Sequence, residues 1–191
     1  MGIGKFKMTI LYLVRHGQTD YNLKRLCQGH VDIPLNQTGI LQAERLSKEI
    51  QDIPFAAAYS SDLSRALITA TIITKALNVP LYPDQRLREI GMGSYEGVSY
   101  DDMIKNFVER YQGEDFENKK YPGGESIQDV ASRVNAAIRL ISAHHPDENV
   151  LVVAHGVSLS TLICSISNIP LYQVYDHIPK NGSPVIIDWQ N

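Results

Sequence analysis

Residues 10–19 have the sequence Ile-Leu-Tyr-Leu-Val-Arg-His-Gly-Gln-Thr, and this stretch decides which fold is expected for the 191-residue chain. Its first five residues are hydrophobic without a polar break, which is typical of a strand buried on both faces of a parallel sheet. Arg15 and His16 follow at once, and Gly17 allows the backbone to turn. Because ligands bind beyond the carboxyl ends of strands in open α/β sheets, the sequence predicts Arg15 and His16 in such a crevice.

The side chains of Arg15 and His16 suit the chemistry of a phosphate group. The guanidinium can neutralise phosphate oxygens and fork onto them, and the imidazole can attack phosphorus. Taken alone the pair is weak evidence, because a histidine after a strand is more often a hydrogen-bonded structural residue. Other segments of the chain must therefore contribute before a phosphate site is indicated.

The composition is that of an ordinary globular protein, with 43% hydrophobic and 20% charged residues and a formal net charge of −3. The length predicts a single domain over residues 1–191, with residues 1–7 as an irregular leader. No basic patch stands out, which argues against nucleic acid as a partner. No apolar stretch is long enough to span a bilayer, and no signal peptide opens the chain, so we expect no membrane partner. Cys27 and Cys164 lack metal-ligand or redox spacing, so we expect a cytoplasmic protein.

Beyond the first strand, short buried runs alternate with amphipathic stripes of helical period. Strands are predicted at 55–59, 81–82, 149–154 and 185–188, and helices begin near the turn or capping residues at 38–39, 60–62, 99, 126 and 158. This alternation predicts an α/β fold, a three-layer α/β/α sandwich with a mostly parallel central sheet. His144 and His145 stand at a predicted helix end, where we interpret them as a solvated cap rather than as metal ligands.

Three further segments place chemically active side chains at predicted strand ends or in a loop. His155 and Gly156 follow the buried run at 149–154 and repeat the arrangement of the first strand. Arg65 lies in the first turn of the helix after the second strand, and Glu89 lies just before a glycine-rich loop. Each residue alone has an ordinary structural explanation, but together they complete a set for phosphoryl transfer.

In that set, each side chain has a distinct chemical role. His16 would be the nucleophile, and Arg15, Arg65 and a protonated or donor His155 would hold the phosphate oxygens. Glu89 would protonate the leaving alkoxide as a carboxylic acid and then activate water against the phosphohistidine. The reaction needs no metal, because the arginines stabilise the phosphate charge.

Four motifs resemble those of the histidine phosphatase superfamily, on the branch that contains cofactor-dependent phosphoglycerate mutases and their phosphatase relatives. The motifs are Leu13-Val14-Arg15-His16-Gly17-Gln18-Thr19-Asp20, Ser60-Ser61-Asp62-Leu63-Ser64-Arg65-Ala66, Leu87-Arg88-Glu89 and Val153-Ala154-His155-Gly156. They occur in the family's order, and the resemblance runs from about Met8 to Asp188. It implies a phosphoglycerate mutase-like fold.

The resemblance also implies roles for nine residues. The catalytic set is His16 as the phosphorylated residue, Glu89 as the proton donor, and Arg15, Arg65 and His155 as the phosphate pocket. The substrate- and phosphate-binding set is Asn22, Gln28, Gly29 and Gly156. Neither a metal nor another cofactor is implied.

The chain departs from the family's pattern at two aromatic positions. Tyr21 and His30 stand where many relatives carry tryptophan. Both keep an aromatic ring, so we expect the conformation of the loop to be retained, whereas its contacts with substrate are not predicted. We interpret His30 as a loop-packing residue rather than as a second catalyst. Arg25, Arg86 and Arg88 are candidates for contact with a substrate anion, although we favour solvated surface charges for all three.

The segment after Glu89 favours hydrolysis over a mutase reaction. Family mutases resemble one another in an Arg-His-Tyr-Gly stretch there and in an arginine pair carried by an insertion. Residues 90–97 resemble the phosphatase branch instead, and residues 100–122 contain no Arg-Arg pair. We therefore predict a metal-independent phosphomonoesterase of the histidine acid phosphatase type, a phosphoric monoester hydrolase that acts on a small phosphorylated metabolite.

Other interpretations stay open at this point. The first alternative is phosphoglycerate mutase activity, and less favoured ones are a phospholigand-binding regulatory protein and a metal-dependent hydrolase, which EDTA would distinguish. Sugar phosphates, phosphoserine, the nucleotide-loop phosphate of cobalamin synthesis and nonspecific esters all fit the pocket chemistry. The C-terminal strand is a candidate edge for pairing with a second copy in a homodimer.

Overall fold

The computed structural model describes residues 8–111, 113 and 115–190, so the predicted leader over residues 1–7 lies outside the described residues. Within them the sheet has five strands: β1 (Met8–Arg15), β2 (Phe55–Ser60), β3 (Leu81–Pro83), β4 (Asn149–Ala154) and β5 (Pro184–Gln190). The strand order is β3-β2-β4-β1-β5, with the first four strands parallel and β5 antiparallel to β1. The prediction of an α/β fold with a mostly parallel sheet is confirmed, and β5 is an edge strand.

Helices cover both faces of this sheet. The α-helices of the described residues are α1 (Asp20–Leu23), α2 (Gln37–Glu49), α3 (Ser64–Leu77), α4 (Tyr100–Met103), α5 (Glu109–Tyr111), α6 (Ile127–His144) and α7 (Gly156–Ser167). A π-helical turn (Ile104–Val108) joins α4 to α5, and a 3-10 helix (Leu171–His177) follows α7. Helices α2 and α3 pack on one face, and α6 and α7 pack on the other, which gives the three layers.

The two faces bury separate hydrophobic cores because side chains alternate along each strand. Leu13 of β1 and Val152 of β4 lie in the core beneath α6 and α7. Their neighbours Val14 and Val153 lie in the core beneath α2 and α3. Burial on both faces therefore explains why β1 and β4 are continuous hydrophobic runs rather than alternating ones.

The parallel register brings the predicted chemical groups to one edge of the sheet. Arg15 of β1 pairs with Ala154 of β4, so His16 and His155, which come next, lie side by side. The backbone N–H of His16 continues the ladder and donates to the carbonyl oxygen of Ala154 at 3.0 Å. Strand β2 ends on the other side of β4, which brings Arg65 in the first turn of α3 to the same edge.

Two helices begin differently from the sequence prediction. The side chains of residues 60–62 do not cap α3; its first N–H, that of Ser64, donates to the carboxylate of Asp32 at 2.7 Å. Helix α7 begins at Gly156, two residues before the predicted start, and the N–H groups of Val157 and Ser158 in its first turn donate to the carboxylate of Glu89. At α7 the carboxylate adds to a local cap, in which the N–H of His155 donates to the hydroxyl of Ser158 at 3.1 Å. The contribution of carboxylates that are distant in sequence is not revealed by a local capping pattern.

At the end of α6, His145 is the C-cap residue, as predicted, but it is less solvated than expected for this histidine pair. His145 is half-buried, its Nδ1 lies 2.8 Å from Glu148, and its Nε2 lies 3.0 Å from the hydroxyl of Tyr59. His144 is exposed, as expected. Within the described ranges, no group of three or more His, Cys, Asp or Glu residues is arranged to hold a metal ion.

Gly17 and Gly39 allow the turn after β1 to lie directly against the first turn of α2. A Cβ atom on Gly39 would lie 2.2 Å from the carbonyl oxygen of Gln18. Alanine normally stabilises a helix by about 1 kcal/mol relative to glycine. We expect Gly39→Ala instead to lower the free energy of unfolding by about 1–3 kcal/mol, because the backbone must move apart. Urea unfolding measures this change.

The control for this prediction is Thr38→Ala, an exposed position in the same helical turn. We expect its free energy of unfolding to stay within about 0.5 kcal/mol of the wild-type value. A Gly39→Ala protein that is as stable as the wild type would show that the turn after β1 and α2 are not in close backbone contact.

The lengths and apolar content of the helices bear on whether any of the described residues could span a membrane. No single helix among them has both the length and the apolar composition needed to cross a membrane. Helix α7 and the 3-10 helix after it meet that requirement only when taken together, and they are bent by 119° relative to each other.

Candidate active site

A cleft of about 330 Å³ opens at the carboxyl ends of β1 and β4. Eight of the nine residues predicted for the site line it: Arg15, His16, Asn22, Gln28, Gly29, Arg65, Glu89 and Gly156. The ninth, His155, is buried beside His16, with 5.1 Å between the two ring centroids. The tertiary structure therefore brings the four sequence motifs to a single place.

His16 is held in one orientation by its own backbone neighbour. Its Nδ1 lies 2.7 Å from the carbonyl oxygen of Gly17, and a carbonyl can only accept, so Nδ1 carries the proton. Burial, reinforced by Arg65 and Arg15, lowers the pKa of His16 well below its ordinary value of 6.5. The imidazole is therefore neutral near pH 7, and the lone pair is on Nε2.

His155 is a neutral imidazole for the same physical reasons. Burial, with further contributions from Arg65 and His16, lowers the pKa of His155 well below 6.5. Of the two forms considered from sequence, this lowered pKa favours the neutral hydrogen-bond donor. Both of its ring nitrogens are buried and have no hydrogen-bond partner among the described residues.

The two arginines are fixed through their terminal nitrogens. Arg15 Nη1 donates to the carbonyl oxygen of Pro179 at 3.1 Å. Arg65 donates from Nη1 to the carbonyl oxygen of Val31 and from Nη2 to that of Gly29, each at 2.8 Å. Burial lowers the pKa of Arg65 to about 10, which leaves it charged near neutrality.

The Nε atoms of these arginines share a property with His155. Both are buried, and neither has a hydrogen-bond partner within residues 8–111, 113 and 115–190. Buried polar groups are nearly always satisfied in folded proteins. Four unsatisfied nitrogens around His16 therefore indicate a site built to bind an anion with several oxygen acceptors.

Glu89 reaches the cleft from the segment between β3 and α4. Its carboxylate accepts hydrogen bonds from the backbone N–H groups of Val157 and Ser158 at 3.1–3.2 Å and from that of Ile90 at 3.0 Å. Val157 and Ser158 belong to the first turn of α7, where N–H groups have no partner within the helix. The carboxylate is thereby held beside His155 and Gly156, which directly precede these residues.

The predicted binding residues lie in the loop that follows β1. Asn22 and Gln28 are linked through Thr19, whose hydroxyl donates to Gln28 Oε1 at 2.9 Å and whose N–H donates to Asn22 Oδ1 at 3.1 Å. Gly29 has a φ of +51°, a conformation that favours glycine, and its carbonyl accepts from Arg65. This loop therefore forms one wall of the cleft and anchors a phosphate-site arginine.

Three of the four charged or imidazole candidates considered from sequence lie outside the cleft lining. Arg86 pairs with Asp84 and Arg88 with Asp62, at 2.6 and 2.5 Å. His30 packs in the loop, where its Nε2 donates to the carbonyl oxygen of Glu89 at 2.7 Å.

Arg25 differs, because it lines the cleft as well as being exposed. Its side chain pairs with the exposed Asp101 at 2.6 Å and lies over the ring of Tyr100. Arg25 is therefore exposed, as expected for a solvated surface charge, but it also lies at the cleft, which was not expected.

Most of the remaining cleft wall is apolar and aromatic, and the sequence does not single out its residues. Its members include Leu26, Met92, Tyr100, Met103, Tyr175 and Ile178. They come from four separate segments, and nothing in their local patterns distinguishes them from ordinary core residues. Nor does the sequence single out Arg133 and Glu125, which form an ion pair at 2.8 Å behind Glu89.

Comparison with known proteins agrees with this geometry. The model of the histidine phosphatase superfamily (branch 1) matches residues 11–191. An uncharacterized phosphatase, PhoE, of Bacillus subtilis (strain 168) is 33% identical over 160 residues, which cover 84% of this chain and 78% of that protein. A probable phosphoglycerate mutase, GpmB, of Proteus mirabilis (strain HI4320) is 31% identical over 191 residues, with coverage of 96% and 86%.

A solved structure shows the same similarity in three dimensions. Bacillus stearothermophilus YhfR superposes with a TM-score of 0.83 at 36% sequence identity, over 93% of this chain and 90% of that one. The family match spans nearly the whole chain, and the site motifs converge on one cleft. The chain therefore belongs to the histidine phosphatase superfamily, branch 1, and has the phosphatase or mutase type of activity of that superfamily.

Proposed function

We propose that the protein is a metal-independent phosphomonoesterase of the histidine acid phosphatase type, which hydrolyses a small phosphorylated metabolite through a phosphohistidine on His16. The observation that supports this most directly is the hydrogen bond from His16 Nδ1 to the carbonyl oxygen of Gly17. It leaves the Nε2 lone pair of a neutral imidazole as the nucleophile. Four unsatisfied nitrogens lie near that ring: one on Arg15, one on Arg65 and two on His155.

In the first half of the reaction, the phosphate ester binds with its oxygens toward these nitrogens. Nε2 of His16 attacks phosphorus, and the bond from phosphorus to the leaving oxygen breaks. Glu89, as a carboxylic acid, gives its proton to that oxygen, so the product leaves as a neutral alcohol. The arginines stabilise the charge spread over the remaining phosphoryl oxygens.

In the second half, water hydrolyses the phosphohistidine. The Glu89 carboxylate accepts a proton as the water oxygen attacks phosphorus, and the bond from phosphorus to Nε2 breaks. Inorganic phosphate leaves, His16 regains its neutral imidazole, and Glu89 is again a carboxylic acid. Each group returns to its starting state without a metal or another cofactor.

The character of the cleft wall supports hydrolysis over a mutase reaction. A phosphoglycerate mutase must also bind the substrate carboxylate in two orientations, which needs cations beyond the phosphate pocket. Among the described lining residues, Arg25 is the cation outside the phosphate pocket, and it is exposed and paired with Asp101. An exposed pair of this kind contributes little net attraction for a further anion.

The proposal is tested by measuring two reactions of the purified protein in EDTA. Release of phosphate from p-nitrophenyl phosphate and glycerol 2-phosphate is compared with the conversion of 3-phosphoglycerate to its isomer. We expect ester hydrolysis to exceed isomerisation and to be unchanged by the chelator. Faster isomerisation would favour the mutase alternative, loss of turnover in EDTA would favour metal-dependent hydrolysis, and phosphoester binding without turnover would favour a regulatory binding protein.

A further inference from the structure

Arg133 of α6 contacts the main chain around Glu89, although it is not among the residues that line the cleft. Its Nη1 donates to the carbonyl oxygens of Arg86 and Arg88 at 2.9 and 2.6 Å. Its Nη2 donates to the carbonyl oxygen of Glu89 at 2.8 Å. Nη2 and Nε also donate to the two carboxylate oxygens of Glu125, both at 2.8 Å. All five N–H donors of the guanidinium are therefore used.

This arrangement requires the chemistry of arginine. The guanidinium is planar and presents its five donors in a fixed fork, so one side chain can bind three carbonyls and a bidentate carboxylate together. The ion pair is mostly covered, with side-chain exposures of 19% for Arg133 and 26% for Glu125. A lysine keeps the charge but offers only three donors around a single nitrogen.

Glu125 and His30 also form hydrogen bonds to the main chain at and after Glu89. The carboxylate of Glu125 accepts from the N–H of Gly91 at 2.8 Å, and the N–H of Glu125 donates to the carbonyl of Gly91. His30 Nε2 donates to the same Glu89 carbonyl oxygen that Arg133 contacts. Hydrogen bonds thus hold the main chain before Glu89, at Glu89 and at Gly91, two residues after it.

The position of the Glu89 main chain determines whether its carboxyl group can transfer a proton to the leaving oxygen. We propose that Arg133 is a positioning residue for this step: by fixing the main chain of residues 86–89 it holds the Glu89 carboxyl against the first turn of α7 and at the leaving oxygen. This inference rests on the proposed function. Because general acid catalysis depends on hydrogen-bond reach, a small displacement of the Glu89 backbone weakens proton transfer strongly.

The anchoring of His16, Arg15 and Arg65 does not depend on this support. Arg15 lies on β1, Arg65 on α3 and His16 in the turn after β1, and the hydrogen bonds that hold them do not involve Arg133. Loss of Arg133 should therefore spare attack by His16, and it should impair the two steps that use Glu89, protonation of the leaving oxygen and activation of water. This separation makes the inference testable by varying the leaving group.

The experiment compares Arg133→Met with wild type on two esters. Glycerol 2-phosphate has an alkoxide leaving group that needs a proton, whereas nitrophenolate departs without one. We expect kcat/KM for glycerol 2-phosphate to fall about 10- to 100-fold, as for other supporting residues behind a reactive group. We expect less than about a 3-fold fall for p-nitrophenyl phosphate. Arg139→Met, an exposed arginine on the same helix, is the matched control and should change neither value.

A double substitution separates positioning from general destabilisation. If Arg133 acts through Glu89, adding Arg133→Met to Glu89→Gln should cause little further loss on glycerol 2-phosphate. Circular dichroism and thermal unfolding show whether each variant is folded. Should Arg133→Met fail to fold, Arg133→Lys replaces it, and the same leaving-group difference is expected because the lysine cannot reproduce the fork.

Equal losses on the two esters, or a full additional loss in the Glu89→Gln background, would overturn the inference. So would an Arg133 variant with wild-type rates on both. A wild-type protein that hydrolyses neither ester is a different result, because it contradicts the proposed function itself rather than the role of Arg133.

Discussion

Replacement of His16 by alanine is expected to lower kcat/KM for p-nitrophenyl phosphate by at least about 10⁴-fold, which corresponds to roughly 5 kcal/mol of lost transition-state stabilisation. His16 is the one buried histidine of the described residues that lines the cleft, and the bond to the Gly17 carbonyl fixes its nucleophilic Nε2. Water cannot substitute for a positioned nucleophile that forms a covalent intermediate. Steady-state assays in EDTA measure the loss.

The same prediction includes the intermediate and a matched control. Brief mixing of wild type with a labelled phosphate ester should trap phosphate on His16 in a form that is stable to base and labile to acid, as expected for phosphohistidine. His144→Ala, at an exposed histidine of α6, should keep wild-type turnover. Label on His155, or activity that survives in His16→Ala, would contradict the assignment of the nucleophile.

The second large effect is expected from Glu89→Gln, and it should depend on the leaving group. For glycerol 2-phosphate we expect kcat/KM to fall about 10²- to 10⁴-fold, the range for loss of a general acid. For p-nitrophenyl phosphate the fall should be less than about 10-fold, because nitrophenolate leaves without protonation. The amide is nearly the same size as the carboxyl group, and its oxygen can still accept hydrogen bonds from the N–H groups of α7. This substitution therefore changes the structure as little as possible.

Glu89→Gln should also slow the second half of the reaction enough for it to be measured separately. Without a base to activate water, hydrolysis of the phosphohistidine slows, so p-nitrophenyl phosphate should give a rapid burst of nitrophenolate followed by a slow steady state. Stopped-flow absorbance measures the burst. Glu96→Gln, in the same glycine-rich segment but absent from the cleft lining, serves as the comparison variant. Equal losses of kcat/KM on the two esters would argue that Glu89 is not the proton donor.

Both predictions start from features that are visible in the sequence. The continuous hydrophobic runs of β1 and β4 predict strands buried on both faces, and parallel strands end at the same edge of a sheet. The pairs Arg15-His16 and His155-Gly156 follow those runs directly, so their proximity can be predicted before any coordinates. The family resemblance adds residues from loops, such as Asn22 and Gln28, which also line the cleft.

The helix starts show where local patterns are insufficient. Ser126 and Asp129 form the predicted capping box of α6, because all of its partners lie within four residues. The first turns of α3 and α7 are instead bonded by Asp32 and Glu89, which lie 32 and 68 residues away along the chain. Local rules therefore predict that residues 60–62 cap α3, whereas in the structure their side chains do not cap this helix.

The sequence by itself determined the order of strands and helices, the burial of β1 and β4, and the residues that meet at the sheet edge, because each follows from periodicity or from motifs of adjacent residues. Only the tertiary structure decided the tautomer of His16, the neutral state of His155, the aromatic wall with Tyr100 and Tyr175, and the contacts of Arg133. These depend on burial and on hydrogen bonds between segments far apart in the chain, and such contacts leave no periodic signal in the residues that make them.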